Sequence, residues 1–443
     1  MSERPEPSPT IEALSIGDEL LSGDTTNTNA TFLGQRARAL GLVLQHVATV
    51  RDRHEEIVAA VRAAAARADV LLVSGGLGPT TDDLTTVAVA DAAGRAVALD
   101  PDALARLAEK FRRFARAMPE ANHKQAELPE GATWLPNPIG TAEGFTIAIG
   151  RCSVFVMPGV PREMRRMMLE QIEPVIAQRL ALRPIARRVY RLLGIGESAV
   201  AERVEPIVAA ARTRSPGLAA SFLHYRAAMP EVLVILEGTR DEHGNGATEA
   251  ELAALDEELV PALAPGLYGI GEADLPTRVI TALQRANKRL ACAESCTGGL
   301  AAALLTAVPG ASDCIEGGVV AYHNRIKQSL LGVDEALLAA HGAVSEPVAR
   351  AMAEGARRSL GSDLAFGITG IAGPGGGTAE KPVGTVHIAV ADGEHTSHLR
   401  LQLRGDRGIV QRSAALWATK LVWDRLHEAG LAAITLLDPL ALE

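Results

Sequence analysis

Short runs of apolar and β-branched residues alternate with Ala-rich stretches of helical spacing, and most of those runs stop at a glycine loop. The clearest case is Val70–Val73, which enters Ser74-Gly75-Gly76-Leu77-Gly78-Pro79-Thr80-Thr81-Asp82-Asp83. An apolar run bounded in this way reads as a buried strand, and the next helix is expected to start near Leu84. Ile11–Ile16 is likewise a strand, entering Gly17-Asp18-Glu19-Leu20-Leu21-Ser22-Gly23. A helix from about Asn29 to Leu40, a strand at Leu42–Thr49 and a helix at Glu55–Ala68 continue the pattern. Strand, turn and helix in repetition leave few folds open, because βα units call for a parallel sheet with helices on both faces. The fold class is therefore α/β. In such a sheet ligands bind where the strands end, so the loops at 17–23, 75–83, 140–144 and 158–163 are expected on one rim.

A chain of 443 residues exceeds one ordinary core, and two or three domains are expected. The net charge of −9 argues against a protein built to bind DNA or RNA through phosphates. Cys152, Cys292, Cys296 and Cys314 form no CxxC pair and read as reduced thiols of a cytosolic protein. No histidine pair has zinc-binding spacing. Met1–Pro9 reads as a disordered tail, and no apolar run approaches the roughly 20 residues that cross a bilayer. A cytoplasmic, soluble protein follows as the expectation. A boundary is expected near Arg183–Arg188. Val189–Val208 and Val232–Glu237 then suggest a small α+β unit, a spacer or dimerisation element ending in the loop Thr239–Gly246. Pro265–Asp274 contains Gly and Pro and reads as a linker.

The glycines at 75–78 let backbone amides approach a phosphate closely, and the helix that follows favours the same anion. Of Asp82 and Asp83, one can cap that helix while the other holds a divalent cation; the plainer alternative is that Thr81 to Asp83 only cap. Pro101–Ala117 reads as an amphipathic helix. Val154–Met157 reads as a strand ending in Pro158-Gly159-Val160-Pro161-Arg162-Glu163-Met164, and the methionines beyond it read as core filler.

In the last third, Leu290-Ala291-Cys292 leads into Ala293-Glu294-Ser295-Cys296-Thr297-Gly298-Gly299 and a small-residue helix. Ser295 would sit on a sharp turn at a strand's carboxyl end, where helix N–H groups can hold an oxyanion. Alternatively, Ser295 or Thr297 merely caps the helix. Cys296 is the rival nucleophile, and since only one of the two neighbours can face a pocket, Cys296 is expected to pack inward. Tyr322-His323-Asn324-Arg325-Ile326-Lys327 follows the next strand, Gly317–Tyr322. A lysine in an apolar pocket has a lowered pKa and can act as base to a serine, so Lys327 is the candidate partner of Ser295 unless it is a solvated surface residue. Thr369-Gly370-Ile371-Ala372-Gly373-Pro374 ends the strand Leu364–Ile368, and Gly405-Asp406-Arg407 opens the last helix. Arg407 or a glycine loop can hold a phosphate.

Taken in order, these motifs resemble the CinA family (competence/damage-inducible proteins) over essentially the whole chain. Ile16-Gly17-Asp18-Glu19-Leu20-Leu21, Gly75-Gly76-Leu77-Gly78-Pro79-Thr80 with Asp82-Asp83, and Gly159-Val160-Pro161-Arg162-Glu163-Met164 carry the N-terminal match. Glu-Ser-Cys-Thr-Gly-Gly, Tyr-x-Asn-x-x-Lys, Gly-Ile-Ala-Gly-Pro, Lys-Pro-Val-Gly-Thr-Val and Gly-Asp-Arg carry the C-terminal one. The resemblance implies a molybdopterin-binding-like domain at 10–182, a KH-like middle domain at 186–268 and a nicotinamide-nucleotide amidase domain at 273–437. It implies a hydrolase that deamidates nicotinamide mononucleotide (NMN) through Ser295, Lys327 and Tyr322, needing no cofactor. Substrate contacts would come from Glu294, Thr297, Gly298, Gly299, Ser312 and Asn324, and from Thr369, Gly370, Gly373, Arg407 and Arg412. It further implies an ADP-ribose pyrophosphatase in the N-terminal domain. There Glu19, Asn29, Gly75, Gly76, Gly78, Lys124, Gly140 and Thr141 would bind nucleotide. Asp82, Asp83 and Glu163 would hold magnesium, manganese or cobalt. Family members often carry Asp-Thr-Asn where this chain has Asn27-Thr28-Asn29. The alternative is that the N-terminal domain only binds a nucleotide or pterin, and that the protein is a competence or recombination accessory working through protein contacts. A homodimer with small-molecule nucleotides as partners is expected, and neither membrane nor direct nucleic-acid binding.

Overall fold

The computed structural model describes residues 9–113, 115, 117–180, 186–219, 221–238 and 246–437. The expected tail up to residue 8, the first half of the expected boundary at 183–188 and nearly all of the loop at 239–246 lie outside them. The chain divides into two compact units, with the change at Ala186.

The first unit is built on a six-stranded sheet in the order β2-β1-β3-β8-β7-β6. Strands β1 (Ile11–Ile16), β2 (Leu44–Val50) and β3 (Val70–Ser74) come first in the chain. The short β4 (Val97–Leu99) and β5 (Glu127–Pro129) pair apart from this sheet, and β6 (Thr133–Leu135), β7 (Gly144–Ile149) and β8 (Cys152–Met157) complete it. β2, β1, β3 and β8 are parallel, whereas β7 and β6 are antiparallel. The expectation of a wholly parallel sheet is thus corrected at one edge. β7 and β8 are joined by Gly150-Arg151 alone, with Ile149 opposite Cys152, and a two-residue connection can only make a hairpin. The reversal has a useful result. The loop at 140–144 precedes β7, yet Phe145 lies opposite Val156 near the end of β8, so this loop shares the rim with those that follow β1, β3 and β8. Helix His54–Arg67 covers one face through Ile57 and Val61. Leu33, Ala37 and the fully buried Met164, Met167 and Met168 cover the other, so these methionines are core.

The second unit holds two sheets. An antiparallel one runs β10-β11-β9-β12, from β9 (Arg187–Leu193), β10 (Phe222–Ala228), β11 (Glu231–Glu237) and β12 (Leu267–Ile270). The stretch expected as a linker therefore contains a strand: Leu267 pairs with Leu192 and Ile270 with Tyr190. Leu267, Tyr268 and Ile270 are all buried, and their burial decides the matter over the flanking Gly and Pro. Ile270 also bridges Leu436, and the buried Arg278 donates to the carbonyls of Ile270, Ala273 and Thr435. The middle region and the chain's end are thereby stitched together.

The last sheet runs β14-β13-β15-β16-β17. Its strands are β13 (Leu290–Glu294), β14 (Ile315–Val320), β15 (Leu364–Gly370), β16 (Thr385–Ala391) and β17 (Thr396–Gln402); the first three are parallel and the last two antiparallel. Side chains alternate along β13. Leu290 and Cys292 pack with helices Leu275–Ala286 and Arg407–Glu428, while Ala291 and Ala293 pack with Glu346–Leu360. No helix among the described residues is long and apolar enough to cross a membrane.

Candidate active site

β13 is the middle of three parallel strands, and the chain turns sharply at its end. The Ser295 N–H still donates to the Ile368 carbonyl of β15 at 3.0 Å, and the Gly298 N–H then closes a turn onto the Ser295 carbonyl at 3.2 Å. Gly298 and Gly299 have φ of +66° and +102°, a region that only glycine enters freely. This double left-handed step lets helix Leu300–Thr306 start after only five intervening residues.

Glu294 is 1% exposed, and its carboxylate accepts from the N–H groups of Gly299, Ala301 and Ala302 at 3.1, 3.1 and 2.8 Å. The helix N–H groups expected to hold an oxyanion are therefore already occupied, and Glu294 is a cap and not a free substrate contact. The donors left beside the serine are the N–H groups of Cys296 and Thr297. Thr297 is 4% exposed, and neither its N–H nor its Oγ1 has a partner among the described residues.

Lys327 comes from helix Asn324–Leu331, on the same inward face as Leu331. Its Nζ donates to Ser295 Oγ at 3.0 Å and to the Ala321 carbonyl at 2.7 Å. Lys327 is 1% exposed and Ser295 8%. No carboxylate pairs with this ammonium among the described residues, and burial lowers its pKa below the ordinary amine range. Of the two readings of Lys327, the buried one holds. Cys296 is buried with its Sγ against Gly370, and burial pushes its thiol up to about 12. It packs inward, as expected, and carries little thiolate.

The other residues named from the sequence fall into distinct places. Tyr322 is 61% exposed and its hydroxyl accepts from Arg407 Nη2 at 2.9 Å. It is bonded to neither Ser295 nor Lys327, with which the family resemblance groups it. Arg407 also donates to the Gly373 carbonyl at 2.8 Å and so ties the tyrosine to the glycine loop. Thr369 Oγ1 is spent on the Ala343 carbonyl. Asn324 and Arg412 are exposed. Ser312 precedes β14, whose start pairs with the start of β13, so it lies at the opposite rim from Ser295 and is not brought to this site. One contributor was missed. Gln411, one helical turn beyond Arg407, donates Nε2 to the Cys296 carbonyl at 2.7 Å. Its spacing of four from Arg407 was the available signal.

On the N-terminal rim the acids turn back on their own loops. Asp83 accepts from the Thr80 N–H at 2.8 Å and from its hydroxyl at 2.5 Å, and lies where a side chain on Gly78 would be. Glu163 accepts from Asn137 Nδ2 at 2.6 Å and covers Gly140 in the same way. Glu19 folds over Gly17. Asp82 is likewise held by its own loop, where the Thr80 side chain and its own backbone N–H lower its pKa. The nearby Asp52 has its pKa raised, chiefly by burial, against a lowering bond from the Asp18 N–H and with further raising by the charges of Glu19, Asp18 and Asp82. Among the described residues no group of three or more His, Cys, Asp or Glu could hold a metal ion. Asp82, Asp83 and Glu163 are thus not assembled as a metal site. Lys124 bonds the carbonyls of Thr80 and Asp83, bracing the loop of Gly75, Gly76 and Gly78. Thr141 is half-buried in the loop before β7. Asn27 caps helix Thr28–Ala39 through the Ala30 N–H and donates to Ser15 Oγ. Asn29 donates to the Gly159 carbonyl at 2.7 Å, and its buried Oδ1 has no partner among the described residues.

Comparison with known proteins covers both units. Residues 272–426 match the family model described as CinA C-terminal domain, and residues 12–178 match the one described as probable molybdopterin binding domain. A CinA-like protein of Anaeromyxobacter sp. is 44% identical over 412 residues, 93% of this chain and 98% of its own length. A putative competence-damage inducible protein of Symbiobacterium thermophilum is 42% identical over 423 residues, 93% of this chain and 97% of its own length. Among solved structures, the protein CinA with unknown function from Thermoplasma acidophilum is 34% identical and covers 38% of this chain and 98% of that one, with a TM-score of 0.36. Similarity of this extent along nearly the whole length means that the chain belongs to the CinA-like family, with a molybdopterin-binding-like domain at its start and a CinA C-terminal domain at its end.

Proposed function

We propose that the second unit hydrolyses the carboxamide of nicotinamide mononucleotide, giving nicotinic acid mononucleotide and ammonia. The observation that carries this reading is the 3.0 Å contact between Ser295 Oγ and the nearly inaccessible amine of Lys327. A serine hydroxyl needs a base near neutral pH, and a desolvated lysine without a carboxylate partner supplies one. In the first step the neutral amine takes the hydroxyl proton as Oγ adds to the carboxamide carbon. The C–N bond then breaks, and the lysine passes its proton to the departing ammonia. Water attacks the resulting ester, again losing a proton to Lys327, which returns it to Oγ as the acid leaves. The N–H groups of Cys296 and Thr297 stand on the turn where the carbonyl oxygen gains its charge. Arg407, exposed and bonded to the Gly373 carbonyl and the Tyr322 hydroxyl, is the cation we assign to the single phosphate. Ammonia release from NMN by purified protein tests the reading; no release by wild type, or equal release by Ser295→Ala, would end it.

For the first unit the observations favour a binding site over a pyrophosphatase. The acids expected to carry a divalent cation are separately engaged, while the glycine loop and the unpartnered Asn29 Oδ1 remain available to a nucleotide or pterin. Titration of ADP-ribose with and without magnesium, manganese or cobalt, beside a turnover assay, separates the two; metal-dependent cleavage would restore the pyrophosphatase.

A further inference from the structure

The turn from Ser295 to Gly298 has one peptide at its centre, the bond joining Cys296 to Thr297. In a four-residue turn this central peptide can face either way, and the two orientations distinguish the two common turn types. Its carbonyl and N–H lie on opposite edges of one planar trans unit, so holding one aims the other. Gln411 holds the carbonyl: its Nε2 lies 2.7 Å from the Cys296 oxygen. The N–H on the far edge belongs to Thr297, the buried residue whose N–H and hydroxyl both lack a partner among the described residues. Glu294 has meanwhile absorbed the N–H groups of Gly299, Ala301 and Ala302, so the turn's own amides are the donors remaining near the nucleophile.

We propose that Gln411 is a positioning residue, which by anchoring the Cys296 carbonyl presents the Thr297 N–H to the oxyanion formed at Ser295. It touches no substrate atom. It acts through one peptide plane, from a helix whose first turn also places Arg407. The inference rests on the amidase reading, and its test keeps the two apart.

Gln411→Met keeps the side chain's length and apolar stem and removes only the donor; Gln411→Leu is the second variant should the first fail to fold. Each is assayed with NMN beside Ser295→Ala, reading kcat, KM and the pH profile. A lost or wandering oxyanion donor lowers kcat about 10- to 100-fold. KM should stay within about threefold, because the ground-state carbonyl asks less of that donor. The pH at which activity rises should not move, because the Ser295–Lys327 contact is left intact. A general loosening of the turn would move that pH and KM together, and overturns the inference. So does a kcat within about threefold of wild type. If Ser295→Ala retains full turnover, the amidase reading itself fails, whatever Gln411 does.

Discussion

Two rims built alike carry different charges. Each lies at the carboxyl ends of parallel strands, and each is lined by glycine loops. On the C-terminal rim the decisive charge is a single cation, Lys327, enclosed and left without a counter-charge so that it must lean on a hydroxyl and a carbonyl. On the N-terminal rim the charges are carboxylates, and several are satisfied by hydroxyl, amide or side-chain donors of their own or neighbouring loops. The difference teaches that a glycine loop after a strand sets where a site is, whereas its chemistry depends on which charged group is denied a partner.

The comparison breaks most visibly at the cation. Ser295→Ala or Lys327→Ala should lower NMN turnover on the order of a thousandfold, and the double variant should be little worse, because the two act as one unit. Near-normal turnover by Lys327→Ala would remove the contrast altogether. Next in size is the response to pH. Burial lowers the pKa of Lys327, so the active neutral amine gains on the ammonium as pH rises. The rate should climb about tenfold per unit below that pKa and level off above it. A rate that falls with rising pH would assign the lysine to the wrong protonation state. A smaller effect, of about 2 to 3 kcal/mol in stability, is expected for Glu294→Ala, which strips a buried charged cap of three bonds; Asp83→Ala, on the open rim, should cost about 1 kcal/mol or less. Denaturant titration checks both, and equal losses would deny that the two carboxylates differ. Tyr322→Phe should raise KM a fewfold with little change in kcat, since its hydroxyl meets Arg407 and not the dyad. Smallest of all is the effect of a chelator, which should leave ammonia release unchanged.

Much of this was legible beforehand, for identifiable reasons. Strand ends and helix starts follow from apolar runs and glycines, so the turn that carries Ser295 and the inward Cys296 could be read locally, whereas spacing alone favoured a solvated surface place for Lys327. What could not be read depends on partners distant in sequence. Glu294 faces the helix it caps only because β13 is buried on both faces and alternates. Tyr322 is drawn outward by Arg407, 85 residues away. The antiparallel edge of the first sheet was missed because a two-residue turn outranks the βα rhythm. Asp82 and Asp83 answer to Thr80 and Glu163 to Asn137, partners that the motifs alone do not reveal.

The strand at Leu267–Ile270 bears on how such chains can be recombined. A chimaera of two relatives joined at Leu275 would look natural from the family match at 272–426. It would nonetheless set β9 and β12 from one parent against an Arg278 and a Thr435–Leu436 tail from the other, where Ile270 of β12 meets both. A crossover ahead of Arg187 carries β9, β12, Arg278 and the tail as one inherited set, so that this meeting point stays matched.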